Sequence, residues 1–184
     1  MNIEQLQKDF AQGKRIKYIF FWGHSEKEGE ITKACLSQWY NCQFTADGID
    51  YHTAEQYMMA QKALLFNDEE IFRRIMQANN PGLYKQLGRQ IRNFDEQKWN
   101  ENKYRIVVEG NTAKFFQNKQ LREYLLHTGS RVLVEASPYD RIWGIGMPKD
   151  DPNVENPLMW KGINLLGFAL MDVREALNSF ENDE

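Results

Sequence analysis

Thiols and imidazoles are scarce in this chain. Two cysteines, Cys35 and Cys42, and three histidines, His24, His52 and His127, are spread over 184 residues. The cysteines form no CxxC and the histidines lie far from one another, so no zinc-ligand spacing is present and no metal is expected. Two lone thiols in a chain of this size read as reduced, which points to the cytoplasm. Long hydrophobic runs are also missing. The longest early one, Tyr18 to Trp22, is strand-length and far short of a membrane span. The stretch Met1 to Lys17 is polar and has no secretory-signal core. No sign of charge dominates: the formal net charge is -3 and the pI is near 5.7, which is no electrostatic footprint for duplex DNA. Basic clusters at Arg73-Arg74 and from Lys85 to Arg92 are diluted by acids and amides, as solvated helix faces are. There is no internal repeat, no low-complexity linker and no GxGxxG after a strand, which disfavours a doubly wound nucleotide fold.

Aromatic residues are plentiful, with 11 Phe, 8 Tyr and 5 Trp. Most belong in a core, and the surplus suits a pocket that stacks planar rings. The length fits one domain that buries roughly 70% of its unfolded surface and needs no staples. The pattern predicts a short helix over residues 2–12, a strand at 18–22 followed by a polar loop, and a hairpin over 44–51 turning at Asp47-Gly48. Helices follow over 53–66, 68–77, 81–89, 96–118 and 119–127, with Asp68 and Asp95 as openers and Asn79-Asn80-Pro81 as a stop and restart. Trp99, Ile106, Ala113 and Phe116 are the expected buried stripe of the long helix. A buried strand at 132–136, a loop over 144–160 and a last helix from Gly162 to Asn178 complete a helix-rich α+β domain. The final Glu-Asn-Asp-Glu reads as a frayed tail.

The chemistry-bearing stretch is Thr53-Ala54-Glu55-Gln56-Tyr57-Met58-Met59-Ala60-Gln61-Lys62. Thr53 with Gln56 three residues on is a capping-box pattern. Glu55 and Lys62, seven apart, share a helix face with Met59 between them. A carboxylate and an amine flanking an apolar side chain suit a pocket wall, although two solvated surface charges would give the same spacing.

Three further segments stand out. Val134 to Gly146 ends a strand and then supplies Glu135, Asp140, Trp143, Gly144 and Gly146: acids, a stacking face and two residues that let a ligand near the backbone. Asp140 read alone is equally a local turn cap. Trp160 to Gly167 contains Asn164 in a first turn and Gly167 inside an apolar helix, where another backbone must pack closely. Phe20-Phe21-Trp22-Gly23 and Leu36-Ser37-Gln38-Trp39-Tyr40 place aromatics beside small polar residues, as a cleft or a core edge does.

These segments, in this order, resemble the NADAR family from about Tyr18 to Leu177. The shared features are the hydrophobic-Trp-Gly start, Leu-Ser-Gln-Trp-Tyr, the Thr53 to Ala63 helix, Leu-Gly-Arg at 87–89, Trp99, Lys114-Phe115, Val-Glu-Ala-Ser at 134–137, Trp-Gly-Ile-Gly at 143–146 and Gly-Ile-Asn-Leu-Leu-Gly at 162–167. Gln38 departs from the asparagine that many members carry. The resemblance implies a NADAR-like domain over residues 18–180 with residues 1–17 as an N-terminal extension.

It also implies cleavage of an N-glycosidic bond between a ribose phosphate or ADP-ribose and an amine on a base. The implied substrates are guanine carrying ADP-ribose, free or in nucleic acid, and ribosylamino-pyrimidine intermediates of riboflavin synthesis. Such chemistry needs a protonated leaving nitrogen and a stabilised anomeric carbon. Under the resemblance Lys62 is a nucleophile, Glu55 a proton shuttle, and Asp140 or Glu135 a second charged group. Trp143 with Trp39 or Trp22 would stack the base, and Gly144 and Gly146 would admit the sugar or phosphate. Gly23, Ser37, Tyr57, Trp99 and Asn164 complete the implied substrate side. No cofactor, metal or membrane partner is implied. A non-catalytic module binding ADP-ribose or NAD is the alternative.

Overall fold

The computed structural model describes residues 1–25 and 29–182. Part of the polar loop expected after Trp22 and the end of the expected frayed tail lie outside these residues. In chain order the elements are α1 (Ile3–Ala11), β1 (Tyr18–Phe21), a 3₁₀ turn (Lys33–Leu36), β2 (Phe44–Ala46), β3 (Ile49–Tyr51), α2 (Ala54–Leu65), α3 (Glu69–Gln77), α4 (Pro81–Gly88), α5 (Glu96–Gln117), α6 (Lys119–His127), β4 (Val132–Glu135) and α7 (Leu165–Asn182). The fold is α+β and helix-rich, as the sequence predicts. Two compact units emerge: Gln38–Lys119, and Met1–Ser37 joined by Gln120–Glu184. Among the described residues no helix is long and apolar enough to cross a membrane.

The unit Gln38–Lys119 is built around α2. Thr53 caps it, its Oγ1 accepting from Gln56 N at 3.0 Å. The reciprocal half of the capping box reaches one residue further back than the motif prescribes: Gln56 Oε1 accepts from His52 N at 2.8 Å, and Gln56 Nε2 donates to Ile75 O of α3. One buried amide therefore satisfies the entry to α2 and ties it to its neighbour. Every residue from Ala54 to Ala60 is buried, because α3, α4, α5 and β3 all pack against this helix. Two close approaches need glycine. A Cβ at Gly88 would fall 2.1 Å from Met59 Sδ, and one at Gly110 would fall 2.4 Å from the Tyr57 ring. The β2–β3 hairpin pairs Phe44 with Tyr51 and turns at Asp47-Gly48, both at positive φ.

The buried stripe of α5 differs from the expected one. Ile106, Val107, Gly110, Asn111, Lys114 and Phe115 are buried, whereas Ala113 and Trp99 are half-buried and Phe116 is exposed. Asn111 and Lys114 lie on the core face and break the apolar periodicity. Asn111 Nδ2 is held by Val107 O and Gln38 Oε1, and the Lys114 ammonium lies over the rings of Tyr40 and Phe115.

The other unit is organised on β1 and β4, which pair in parallel from Tyr18↔Val132 to Phe21↔Glu135. The side chains of Val132, Leu133 and Val134 are buried. The free edge of β4 is satisfied by one side chain: Asn164 Oδ1 accepts from Glu135 N at 3.0 Å while Nδ2 donates to Leu133 O at 2.9 Å. α7 lies so close that a Cβ at Gly167 would meet Leu133 O at 2.0 Å, the backbone approach that a glycine inside an apolar helix predicts. The helix starts at Leu165 rather than Gly162, because Asn164 takes φ 55° to aim its amide at β4 and Gly162 packs on Gly144 O. α1 belongs to this unit, with Leu6 buried and Gln7 Nε2 donating to Pro157 O.

Candidate active site

Lys62 leaves the last turns of α2 half-buried. Its Nζ donates to Gly88 O at 2.9 Å and lies 4.5 Å from the Phe94 ring centroid and 5.3 Å from that of Trp99. The two rings come from one local device. Asp95 caps α5, its Oδ1 accepting from Lys98 N, so Phe94 and Trp99 occupy the N′ and N4 positions used by a hydrophobic staple. Burial lowers the Lys62 pKa most, the Arg89 guanidinium lowers it further, and Glu55 opposes both. Glu55 itself is 4% exposed, in the first turn of α2, with its N–H donating to Gln38 O at 2.9 Å. The structure thus sets Trp99 beside the Lys62 amine, and Glu55 bears on that amine through its charge. It adds Phe94, Gly88 and Arg89, none of which sequence reasoning placed at the amine.

The segment bearing these additions is fastened. The Asp68 carboxylate, which caps α3 through Ile71 N, also accepts from Arg92 N, Nε and Nη2 at 2.8–3.2 Å. Arg92 hydrogen bonds hold Asp68 well below the usual carboxylate range despite its burial. Tyr57, in contrast, is spent in the core, where it packs on Gly110, Tyr51 and Phe44. Trp39 is half-buried in the same unit.

The remaining candidates belong to the β1–β4 unit. Glu135 ends β4, and its O accepts from Ile145 N. Asp140 Oδ1 accepts from Ile142 N at 2.9 Å and Trp143 N at 2.7 Å, and Asp140 O accepts from Gly146 N. Ser137 Oγ accepts from Tyr139 N and Asp140 N. The carboxylate therefore ties this loop together, as a turn cap does. The glycines are filled by the protein itself: a Cβ at Gly144 would meet Glu135 O at 2.8 Å, and one at Gly146 would meet Arg141 and Lys161. Asn164 is committed to β4. Trp143 is half-buried, Ser37 closes the 3₁₀ turn, and Trp22 and Gly23 stand exposed beyond β1. Among the described residues no group of acids, thiols and imidazoles could hold a metal.

Comparison with known proteins adds the following. A family model described as the NADAR domain matches residues 20–178. The chain is 43% identical over 164 residues to N-glycosidase R617 of Acanthamoeba polyphaga mimivirus, covering 86% of this chain and 95% of that protein. It is 30% identical over 173 residues to N-glycosidase YbiA of Escherichia coli, covering 91% and 96%. The NMR structure of E. coli YbiA matches with a TM-score of 0.74 at 27% identity, over 91% of this chain and 89% of that one.

Proposed function

The chain belongs to the NADAR family, and from that membership and the setting of Lys62 we propose that it is an N-glycosidase acting on the bond between C1 of a ribose phosphate or ADP-ribose and an amine on a base. The proposed substrates are ADP-ribosylated guanine and ribosylamino-pyrimidine intermediates of riboflavin synthesis. Support comes from relatives named N-glycosidases. The observation that carries the reading is an amine with a lowered pKa, hydrogen-bonded to Gly88 O and bracketed by two aromatic rings, with a buried carboxylate acting on it from the same helix.

In this reaction the ribosylamine opens first: the ring oxygen takes a proton and C1 becomes an imine to the base nitrogen. Neutral Lys62 Nζ adds to C1. A proton passes through Glu55 to the base nitrogen, which departs with the C1–N electron pair and leaves C1 joined to Nζ as a protonated Schiff base. Water adds to C1, the C1–Nζ bond breaks, and the free sugar leaves with Lys62 restored. The sum is one water consumed for one C–N bond cleaved. Burial and Arg89 favour the neutral amine that the addition step needs.

The test incubates wild type, Lys62→Ala and Glu55→Gln with each substrate and with ADP-ribose as a ligand. Lys62→Ala is expected to lose turnover, and Glu55→Gln to lose about 10²-fold or more, with ADP-ribose binding retained in at least one. Borohydride is expected to trap a sugar adduct on Lys62. A wild-type protein that binds ADP-ribose but releases base from neither substrate is a binding module, not an enzyme.

A further inference from the structure

Phe94 is 47% exposed, yet its ring forms one wall of the bracket around Lys62. A ring half in water keeps one place only if its neighbours hold it. Phe66, just past the end of α2, meets the Phe94 ring at 5.3 Å. Two residues before Phe94, Arg92 is anchored to one carboxylate: its N, Nε and Nη2 all donate to Asp68, at 2.8–3.2 Å. The anchor is itself fixed. Asp68 is 2% exposed. Its N donates to Ala63 O of α2 at 2.9 Å, and its Oδ1 accepts from Ile71 N of α3. Ala63 is the residue after Lys62. A short path therefore runs from the backbone beside the amine, through a buried carboxylate and the Arg92 guanidinium, to the ring over the amine. Gly88, whose O accepts from Lys62 Nζ, opens the stretch that Phe94 closes. Two contacts of the amine thus lie at the two ends of the segment that Arg92 fastens. Arg92 stands outside the bracket, its side chain 63% exposed and its Nη2 also 3.1 Å from Glu70 Oε2. Exposed ion pairs contribute little as a rule. Here the carboxylate is buried and the guanidinium meets it with two nitrogens, a geometry that lysine cannot reproduce.

We infer that Arg92 is a positioning residue for the Lys62 amine: its fork on Asp68 holds residues 88–94 so that Phe94 covers Nζ and Gly88 O meets it. Freeing this stretch admits water to Nζ. It also lets Arg89 move off, which with Glu55 supplies the charges acting on the amine. Both changes favour the ammonium, so less of the neutral amine is present at a given pH. The effect on turnover rests on the N-glycosidase reading. The placement of the amine needs no substrate.

The test compares Arg92→Lys, which keeps the charge and loses the fork, with Arg92→Met, which loses both. Asp68 keeps the Ile71 and residue-92 backbone donors in either variant, so α3 stays capped, and thermal melts check that the fold is kept. The readout is the titration of Lys62 by NMR of reductively ¹³C-methylated protein, its signal assigned with Lys62→Met. Both variants are expected to raise the Lys62 midpoint. A rise of about half a unit lowers turnover about threefold at a fixed pH below the midpoint. A role in stability alone would lower the melt and leave the midpoint in place. In a Phe94→Ala background, Arg92→Lys is expected to move the midpoint less than in wild type, because the ring through which it acts is gone. An unmoved midpoint in both variants would overturn the proposal. So would a shift in Arg92→Met without one in Arg92→Lys, which assigns the effect to charge, or full additivity with Phe94→Ala. Raised midpoints in a protein that turns over neither substrate would leave the positioning role standing and remove the N-glycosidase reading. Wild-type turnover with unmoved midpoints would do the reverse.

Discussion

The Nζ of Lys62 and the carbonyl oxygen of Gly88 are 2.9 Å apart, and Gly88 has no room for a side chain because Met59 Sδ stands where its Cβ would be. The residue that fills the helix face between Glu55 and Lys62 therefore also sets the distance at which the acceptor meets the amine. Gly88→Ala is expected to push α4 away from α2. The cost should be about 1–3 kcal/mol in urea unfolding, with a larger loss of turnover than that destabilisation explains at a temperature where the variant is folded.

The titration of Lys62 has a definite sign. Its folded pKa is below the ordinary value of 10.5. Between the two values the unfolded chain holds more protons than the folded one, so stability rises as pH rises through that window. Below the folded pKa the burial penalty on the charged amine is fully present. Lys62→Met should remove this slope in urea titrations run across the window. Turnover should rise with pH as the amine is deprotonated, with its midpoint below 10.5.

Arg89 and Glu55 act on that amine in opposite directions. Arg89→Gln should move the Lys62 midpoint up and Glu55→Gln should move it down, read by NMR of the reductively ¹³C-methylated lysine. Equal or same-signed movements would refute the electrostatic picture independently of any substrate.

Asp68→Ala should destabilise the protein by roughly 1.5–3 kcal/mol at neutral pH, because a buried carboxylate accepting charged and backbone donors is lost. The native carboxyl is depressed from its ordinary 3.8, chiefly by Arg92. Its contribution is present above 3.8 and fades as pH falls below it through the folded value. The difference between wild type and variant should therefore shrink in strong acid, as chemical unfolding at the two pH values will show.

Asp140→Asn keeps an oxygen for Ile142 N and Trp143 N, and Asp140→Ala does not. If the carboxylate serves the loop, the amide variant should retain activity while the alanine variant loses about 1 kcal/mol or more of stability and gains proteolytic cutting near Tyr139. Loss of turnover in Asp140→Asn with an unchanged melt would instead assign the charge to the chemistry.

Local rules were the legible part of this chain. The Thr53 cap, the Asp47-Gly48 turn and the glycine contact at Gly167 are each decided by a few adjacent residues or by one backbone approach, and the structure contains all three. The parallel pairing of β1 with β4 joins distant segments and leaves no local trace. Lys114 and Asn111 misled the reading of α5 because polar side chains hide a core face from any hydrophobic period. Phe94 was detectable in principle: a large apolar residue just before an Asp cap, with Trp99 at the fourth helical position, is a staple pattern. Glycines at 144 and 146 invited a ligand reading, but a vacant Cβ position says only that something lies close, and here it is the chain's own backbone and side chains.

The bracket around Lys62 has a bearing on unfinished copies of the protein. Phe94 and Trp99 reach the amine only when the opening turn of α5 is wound and capped. A nascent or heat-damaged chain with that turn frayed returns the lysine toward water and toward its ordinary basicity, with a smaller neutral fraction. Under the proposed mechanism, the reactivity of Lys62 therefore depends on correct assembly of this turn.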